Sequence, residues 1–215
     1  EVFAQQHCVC LVTGSDYAKT AEQVPHAVLQ HVHTVYNCSG GEINRKGNTV
    51  YSDQWQPSLK HLAWLETELA ASVFPLRTGT HIEQRTGMLN FSVVGRGATA
   101  SERAQYQEWD QQHQERAGIA QRFNQRFPGF AARLGGVTGI DIAPAGSDKS
   151  QILLRLPPAP NGEQSWRLDN IVFFGDDMGP QGNDAPLAGV LTRVHPVDDW
   201  QHTQQILHTE YGMTL

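Results

Sequence analysis

The stretch IVFFGDDMGPQGND, residues 171–184, carries the clearest fold signal in the sequence. Four apolar residues lead into a glycine, two adjacent aspartates and a turn rich in glycine and proline. A short apolar run bounded by turn residues predicts a strand covered on both faces, as in a parallel sheet. Because α/β folds bind ligands beyond the carboxyl ends of such strands, the stretch predicts an α/β fold with a ligand site in the following loop.

The oxygen-bearing side chains of this loop are candidate metal ligands. Asp176 and Asp177 follow the strand directly, and Asn183 and Asp184 close the loop. Mg²⁺ prefers hard oxygen ligands, keeps several waters and takes one or two protein carboxylates. A solvated turn after a strand would have the same composition, so these residues alone leave both interpretations open.

Apolar strands alternate with helix-like segments near both ends of the chain. The run HCVCLVTGSD, residues 7–16, predicts a buried strand that the chain enters almost at once, followed by a turn and a helix. Residues 189–196 predict another strand, and residues 197–212 predict a closing helix. This alternation is typical of an α/β core.

The middle of the chain is more amphipathic than its ends. Leucines at helical spacing predict a helix over residues 56–74, and Thr86 and Gly87 mark the turn of a predicted hairpin. A long polar helix is predicted to start at Ser101 and to stop at Pro128. The pattern indicates a core interrupted by an inserted α+β cap domain. The predicted domains are residues 1–56 (first part of the core), 57–146 (cap) and 147–215 (second part of the core).

Length, charge and cysteine content limit the functional classes. The 215 residues are enough for one large domain or two small ones. A formal net charge of -6 gives no general attraction to nucleic acid or to an anionic membrane. The three cysteines favour a reducing compartment over a disulfide scaffold, and neither a signal peptide nor an apolar stretch of about 18 residues is visible. The predicted location is therefore the cytoplasm, without nucleic-acid or membrane partners.

Two further segments could hold an anion near the predicted core. Lys149 is predicted in a loop just before a new apolar strand, where its ammonium group could neutralise a phosphate. Thr13, Gly14 and Ser15 lie between a strand and a helix, where hydroxyls and free N–H groups form anion sites. A surface lysine and an ordinary helix cap would explain the same residues.

Three arginines of the predicted cap form a second candidate site. Arg85 and Arg96 flank a predicted hairpin strand, and Arg103 lies in the first turn of the next helix. A cation in that turn opposes the helix dipole unless it faces an anion. Converging guanidinium groups could bind a phosphate through paired hydrogen bonds, although solvated arginines would give the same pattern.

Taken in order, these segments resemble the haloacid dehalogenase superfamily, and within it the eukaryotic-type phosphomannomutase family. The segment HIEQRTGMLNFSVVGRGATASER resembles the family pattern FIEFRNGMLNxSPIGR…EER, with the three arginines at the family's spacing. FFGDDMGPQGND resembles FFGDKTxPGGND without a gap, TGSD resembles GGSD, and IDIAPAGSDK resembles FDVFPxGWDK. The resemblance covers nearly the whole chain. It implies a Rossmann-like core with a parallel sheet and a C2B-like cap.

The resemblance assigns a role to each candidate residue. Mg²⁺ would be coordinated by Asp176, with Asn183 and Asp184 completing the loop. Catalytic roles would fall to Lys149, which balances charge on an aspartyl-phosphate, and to Thr13 and Ser15 around the phosphoryl group. Substrate would be bound by Gly14, Arg85, Arg96, Arg103 and Asp141, the last through sugar hydroxyls. In the family the caps form dimers, so the resemblance allows a homodimer through the cap.

The implied reaction is a hexose-phosphate mutase reaction, which moves phosphate between positions 1 and 6 of mannose or glucose through an aspartyl-phosphate. Two alternatives stay open. One is a Mg²⁺-dependent sugar-phosphate phosphatase, which Thr13 favours slightly because phosphatases of the superfamily commonly have threonine there. The other is a non-catalytic phosphosugar-binding relic.

The sequence also departs from the family pattern. The DxD motif, which supplies the nucleophile on the strand before TGSD, is not found, so the nucleophile segment and central strand are expected to be absent from this chain. Gly139 stands where the family has a ligand-contacting serine, and Gln84 replaces an aromatic residue. Asp177 and Met178 replace a Lys-Thr pair.

Overall fold

The computed structural model describes residues 2–159, 166–180 and 182–213. These residues divide into two compact units. Unit 1 consists of Glu1–Ser52 and Asp148–Leu215, and unit 2 is the continuous segment Asp53–Ser147.

The described residues form strands and helices in the following order. The strands are β1 (Cys10–Val12), β2 (Thr34–Asn37), β3 (Glu42–Arg45), β4 (Asn48–Ser52), β5 (Ile82–Arg85), β6 (Met88–Phe91), β7 (Phe130–Gly135), β8 (Gly139–Pro144), β9 (Val172–Gly175) and β10 (Arg193–Pro196). The helices are α1 (Val2–Gln6), α2 (Tyr17–Gln23), α3 (His26–Leu29), α4 (Leu59–Ala71), α5 (Ala100–His113), α6 (Glu115–Arg126), α7 (Ala185–Ala188) and α8 (Trp200–Tyr211). None of these helices is long and apolar enough to cross a bilayer.

Unit 1 contains two sheets among its described residues. One has the order β1-β2-β3-β4, with β1 and β2 parallel and the other pairs antiparallel. The other is the parallel pair β9 and β10. A single apolar cluster that includes Tyr36, Phe173 and Leu187 packs with residues of both sheets, including Cys10 of β1 and Val194 of β10. The two sheets therefore share one apolar core.

Three details of unit 1 differ from the sequence-based prediction. Residues 149–155 form a 3₁₀ helix rather than a strand, because Asp148 caps the segment by accepting a hydrogen bond from the Ser150 N–H at 3.0 Å. The chain begins with α1 rather than running directly into β1. Cys8 of the first predicted strand is exposed and lies before β1.

Unit 2 has one antiparallel sheet of order β5-β6-β8-β7. Leu89, Phe91, Ile140 and Ile142 belong to an apolar cluster that also contains residues of α4, α5 and α6. Because side chains alternate along a strand, residues next to these positions point to the opposite face of the sheet. One face therefore packs on helices, and the other carries the polar residues of β5, β6 and β8.

The predicted long polar helix is in fact two helices, α5 and α6, separated at Gln114, whose φ is 52°. The first helix is capped by Thr99 rather than by Ser101, because the Thr99 hydroxyl accepts from the Glu102 N–H at 3.2 Å. After the break, the Arg116 N–H and guanidinium both donate to buried Asp110. These hydrogen bonds hold the start of α6 against the end of α5.

Candidate functional site

The lysine predicted to lie near the acidic loop makes direct contact with it. Lys149 Nζ donates to Asn183 Oδ1 at 2.7 Å and to Asp184 Oδ1 at 2.6 Å. Only 7% of Lys149 and 2% of Asp184 is exposed. A charge pair this buried is desolvated, so removing either side chain would leave the other charge buried without compensation.

The acidic loop is closed by Asp177. Its N–H donates to Asp184 Oδ2 at 3.1 Å, and its carbonyl accepts from the Asp184 N–H at 3.0 Å. Its side chain accepts from the Asn183 N–H at 3.1 Å. A Cβ at Gly182 would lie 2.0 Å from the Asp177 carbonyl oxygen, so the loop requires glycine there. Sequence reasoning treated Asp177 as a candidate metal ligand and as a departure from a family pattern, and it missed this role in closing the loop.

The loops after β1 and β2 connect to the same network. Ser39 N–H donates to the Thr13 carbonyl at 2.8 Å, and Cys38 N–H donates to the Ser15 carbonyl at 2.9 Å. Gln151, two residues after the buried lysine, donates to the Ser39 carbonyl at 3.0 Å. The carboxyl ends of β1, β2 and β9 therefore meet at one edge of unit 1, as expected of ligand sites in α/β folds.

Thr13, Gly14 and Ser15 of the TGSD turn are half-buried at this edge, and Asp16 is exposed. The Thr13 hydroxyl accepts from the Ser15 N–H at 3.1 Å, and Gly14 lies between the two. Ser39, which sequence reasoning missed, has a φ of 57°, a conformation that non-glycine residues adopt at a cost of about 1–3 kcal/mol. A visible signal was its position in the Asn-Cys-Ser-Gly-Gly turn directly after β2.

The predicted metal ligands are not assembled into a cluster of carboxylates. Asp176 is exposed, whereas Asn183 and Asp184 both accept from Lys149. Within the described ranges there is no group of three histidine, cysteine or acidic residues arranged to hold a metal. Mg²⁺ needs only one or two protein carboxylates and takes oxygen donors alone, so the donor types of this loop fit Mg²⁺. The coordination itself stays a prediction.

In unit 2, Arg85 and Arg96 converge on one carboxylate. Glu83 Oε2 lies 2.6 Å from Arg85 Nη2 and 3.2 Å from Arg96 Nε. The pKa of the Arg96 guanidinium is lowered, first by burial and then by the neighbouring cations Arg85 and Arg103. The three predicted arginines therefore lie close enough to act on one another, and we name them the arginine cluster.

The third member of the arginine cluster makes a different kind of contact. Arg103 Nε donates to the Ala98 carbonyl at 3.0 Å, and Arg103 Nη2 donates to the Arg96 carbonyl at 2.9 Å. These bonds fix the turn before α5 and bring a guanidinium group to the backbone of Arg96. Arg103 thus organises the cluster as well as adding charge to it.

Asp141 is held by a residue that sequence reasoning missed. Asn90 Nδ2 donates to Asp141 Oδ1 at 2.6 Å, and Arg85 Nη1 lies 4.0 Å from the same oxygen. A Cβ at Gly139 would lie 2.7 Å from Asn90 Nδ2 and 2.8 Å from the Gly135 carbonyl oxygen. The buried amide of Asn90 therefore occupies the space that a side chain at position 139 would need.

Each unit thus places cationic side chains among polar groups. In unit 1, the buried ammonium group of Lys149 is bonded to the acidic loop, close to the turns after β1 and β2. In unit 2, guanidinium groups gather near the polar face of a sheet. Such cations are typical partners of phosphate, which prefers charge-assisted hydrogen bonds, and anion binding at either place stays a prediction.

The sequence matches one family model over nearly its whole length. The model describes eukaryotic phosphomannomutase and matches residues 2–211. A phosphomannomutase of Saccharomyces cerevisiae is 31% identical over 185 residues, which cover 82% of this chain and 70% of the relative. Human phosphomannomutase 1 is 32% identical over 206 residues, which cover 91% of this chain and 76% of the relative.

Solved structures with low sequence identity share the fold. A haloacid dehalogenase-like hydrolase from Bacteroides thetaiotaomicron superposes with a TM-score of 0.57 at 10% identity, covering 96% of this chain and 88% of that one. The IMP-nucleotidase of Plasmodium falciparum gives a TM-score of 0.59 at 12% identity, covering 99% of this chain, which spans 61% of the nucleotidase chain. The predicted α/β fold of the haloacid dehalogenase type is therefore confirmed.

Proposed function

We propose that this chain, which belongs to the eukaryotic phosphomannomutase family, forms part of a hexose-phosphate mutase. The enzyme would interconvert the 1- and 6-phosphates of mannose or glucose. The observation that carries the proposal is the pair of anion-binding arrangements, one in each unit. A mutase that passes through a bisphosphate must hold one phosphate while the other reacts. A simple phosphate-releasing enzyme needs only one such place.

In unit 1, Lys149 would balance the charge of the phosphorylated intermediate. Its ammonium group is already fixed by Asn183 and Asp184, so it would not need to reorganise during the reaction. Thr13 and Ser15 would donate hydroxyl hydrogen bonds to the phosphoryl oxygens, and Gly14 would let the backbone come close to them. Mg²⁺ bound by Asp176, Asn183 and Asp184 would neutralise phosphoryl charge.

In unit 2, the arginine cluster would bind the phosphate that does not react. Arg85 and Arg96 would supply paired N–H donors, and Arg103 would hold the turn that carries Arg96. Asp141 would accept hydrogen bonds from sugar hydroxyls, in an orientation fixed by Asn90. We also propose a homodimer through unit 2 and a cytoplasmic location, the latter in keeping with three cysteines that form no disulfide in the described part of the chain.

The nucleophilic carboxylate is proposed to come on a further strand that binds unit 1. Within the described part of the chain, β1 and β9 are edge strands of separate sheets. A cavity of about 140 Å³ lies against both edges and is lined by Cys10, Val12, Ile171 and Phe173. An apolar strand laid along β1 and β9 across this cavity could pair with the backbone of both edges, and its carboxyl end would point toward the Lys149 network.

A reconstitution assay tests this proposal. The chain is joined to, or mixed with, a strand segment that carries DxD at its carboxyl end, and is given mannose 1-phosphate and a bisphosphate activator. We expect mannose 6-phosphate to form, and we expect a matched NxN segment to give none. Release of inorganic phosphate without isomer would support the phosphatase alternative, to which the Thr13 hydroxyl at this edge is suited. Binding of substrate without any turnover would support the non-catalytic alternative.

A further inference from the structure

A row of polar side chains crosses the sheet of unit 2. In the strand register, Glu83 lies opposite Asn90, Asn90 opposite Asp141, and Asp141 opposite Arg133. Ala132, the neighbour of Arg133, belongs to the apolar cluster, so Arg133 points to the other face of the sheet. The four side chains therefore share the polar face, and Arg133 adds a cation to it.

Without Arg133, the positive charge on this face only partly matches the charge of a phosphate. The arginine cluster brings three cations, while Glu83 and Asp141 bring two carboxylates that both lie within 4.0 Å of Arg85. One net positive charge would remain for a phosphomonoester, which carries close to two negative charges near neutral pH. Arg133 raises the net charge to two.

Asp141 is close enough to the cluster for its charge to matter there. Burial and the Arg85 cation chiefly lower the pKa of Arg96, and the Asp141 carboxylate acts in the opposite direction. Side chains directly opposite each other in antiparallel strands have Cβ atoms about 5 Å apart, and opposite charges at such positions attract. The register thus places Arg133 directly opposite one of the two carboxylates that reduce the positive charge of the cluster.

We propose that Arg133 is a specificity-determining residue that offsets the charge of Asp141, so that the arginine cluster selects a dianionic phosphomonoester over monoanions. Arg133 acts through Asp141 and is therefore a positioning residue rather than a catalytic one. This inference rests on the proposed function, because it assigns to the cluster the phosphate that does not react. Sequence reasoning did not single out Arg133.

Calorimetric binding of inorganic phosphate at pH 8 to the full chain tests the inference. Arg133→Gln is expected to weaken phosphate binding about fivefold at low salt, because one charge several ångströms away acts through an intermediate dielectric. Arg133→Lys should keep wild-type affinity. Dimethyl phosphate, a monoanion, should lose less affinity than phosphate in the Gln variant, and high salt should shrink the difference.

A double variant separates charge compensation from direct contact. Asp141→Asn combined with Arg133→Gln restores the net charge, so we expect phosphate affinity to return to near the wild-type value. Persistent weak binding in the double variant would overturn the inference, as would an unchanged Arg133→Gln single variant. Arg126→Ala, on α6, serves as the matched control and should bind phosphate normally.

A reference variant separates a failure of this inference from a failure of the proposed mutase function. Arg85→Gln identifies the part of the phosphate binding that belongs to the arginine cluster, since the Lys149 network could also bind the ion. If wild type and Arg85→Gln bind phosphate equally, the role proposed for the cluster fails, and the inference fails with it. If Arg85→Gln weakens binding and Arg133→Gln does not, the inference alone fails.

Discussion

At the residue scale, Lys149 and Asp184 form a nearly fully buried ion pair in unit 1. Asp184 also accepts from the Asp177 N–H. Gly175 leaves room for this carboxylate, because a Cβ there would lie 2.7 Å from Asp184 Oδ2. The pair therefore orders the acidic loop, whatever the loop binds.

Replacing the lysine alone should destabilise the protein strongly. Lys149→Met leaves the Asp184 carboxylate buried without its cation, which costs about 3–5 kcal/mol in comparable pairs. Urea unfolding measures the change in the free energy of unfolding. Lys149→Met combined with Asp184→Asn should recover most of the loss, and Lys19→Met, at an exposed position of α2, should change little. Equal stability of Lys149→Met and wild type would contradict the importance of the pair.

Position 139 offers a second test at the same scale. Gly139→Ser introduces the residue of the family pattern, but its Cβ would meet Asn90 Nδ2 and the Gly135 carbonyl oxygen. We expect a loss of about 1–3 kcal/mol from overpacking. Shortening the obstructing side chain with Asn90→Ala should relieve part of this loss. If Gly139→Ser is as stable as wild type by thermal denaturation, Asn90 does not limit the space at this position.

At the element scale, a histidine in the first turn of α4 accepts a hydrogen bond from the backbone of the N-cap residue Ser58. His61 Nδ1 accepts from the Ser58 N–H at 3.3 Å, and its ring packs on Phe127 and Phe130 at centroid distances of 4.7 and 4.4 Å. Burial lowers the pKa of His61 below its usual value. A protonated ring could neither accept at Nδ1 nor remain buried without cost.

The stability of unit 2 should therefore depend on pH through His61. The unfolded chain binds a proton near pH 6.5 and the folded chain only at lower pH, so the free energy of unfolding falls as pH decreases below about 6.5. His61→Gln keeps a cap acceptor and should flatten this dependence between pH 7.5 and 5.5. His113→Gln, at an exposed position, is the control and should keep the wild-type slope. A wild-type slope in His61→Gln would assign the dependence to other groups.

The helical break at Gln114 shows what sequence periodicity alone does not decide at this scale. Residues 101–127 are rich in glutamine and charged residues and contain no proline to mark a stop, so the sequence predicts one long helix. The break depends on buried Asp110, which binds the N–H and guanidinium of Arg116 after the turn. Such a contact requires a side chain from one helix to meet the backbone of the next.

At the scale of the whole molecule, unit 2 is a continuous segment with its own apolar cluster. Residues 53–147 should therefore fold when expressed alone, because their core is built from their own helices and sheet. We expect circular dichroism to show a mixed α/β spectrum and a cooperative thermal transition. A fragment lacking α6, β7 and β8, residues 53–114, is the control and should not show the transition. An unfolded 53–147 fragment would show that unit 2 depends on unit 1.

The sequence by itself determined the fold class, the family pattern and most candidate site residues. Short apolar runs, turn residues and the spacing of the arginines are local or linear features, so they can be seen without coordinates. Lys149 donates hydrogen bonds to Asn183 and Asp184, while the catalytic and metal-binding roles assigned to these residues stay predictions. The 3₁₀ helix at 149–155 was wrongly predicted as a strand, since its apolar residues fit either element.

Only the tertiary structure decided which side chains meet. Asp177, Ser39 and Asn90 take their roles from partners far along the chain or across a sheet, and no periodicity shows such contacts. The division of unit 1 into two sheets, with a cavity against β1 and β9, likewise depends on which strand edges pair. Arg133 became a candidate through register alone, because facing a carboxylate across a strand pair is a property of the sheet rather than of the sequence.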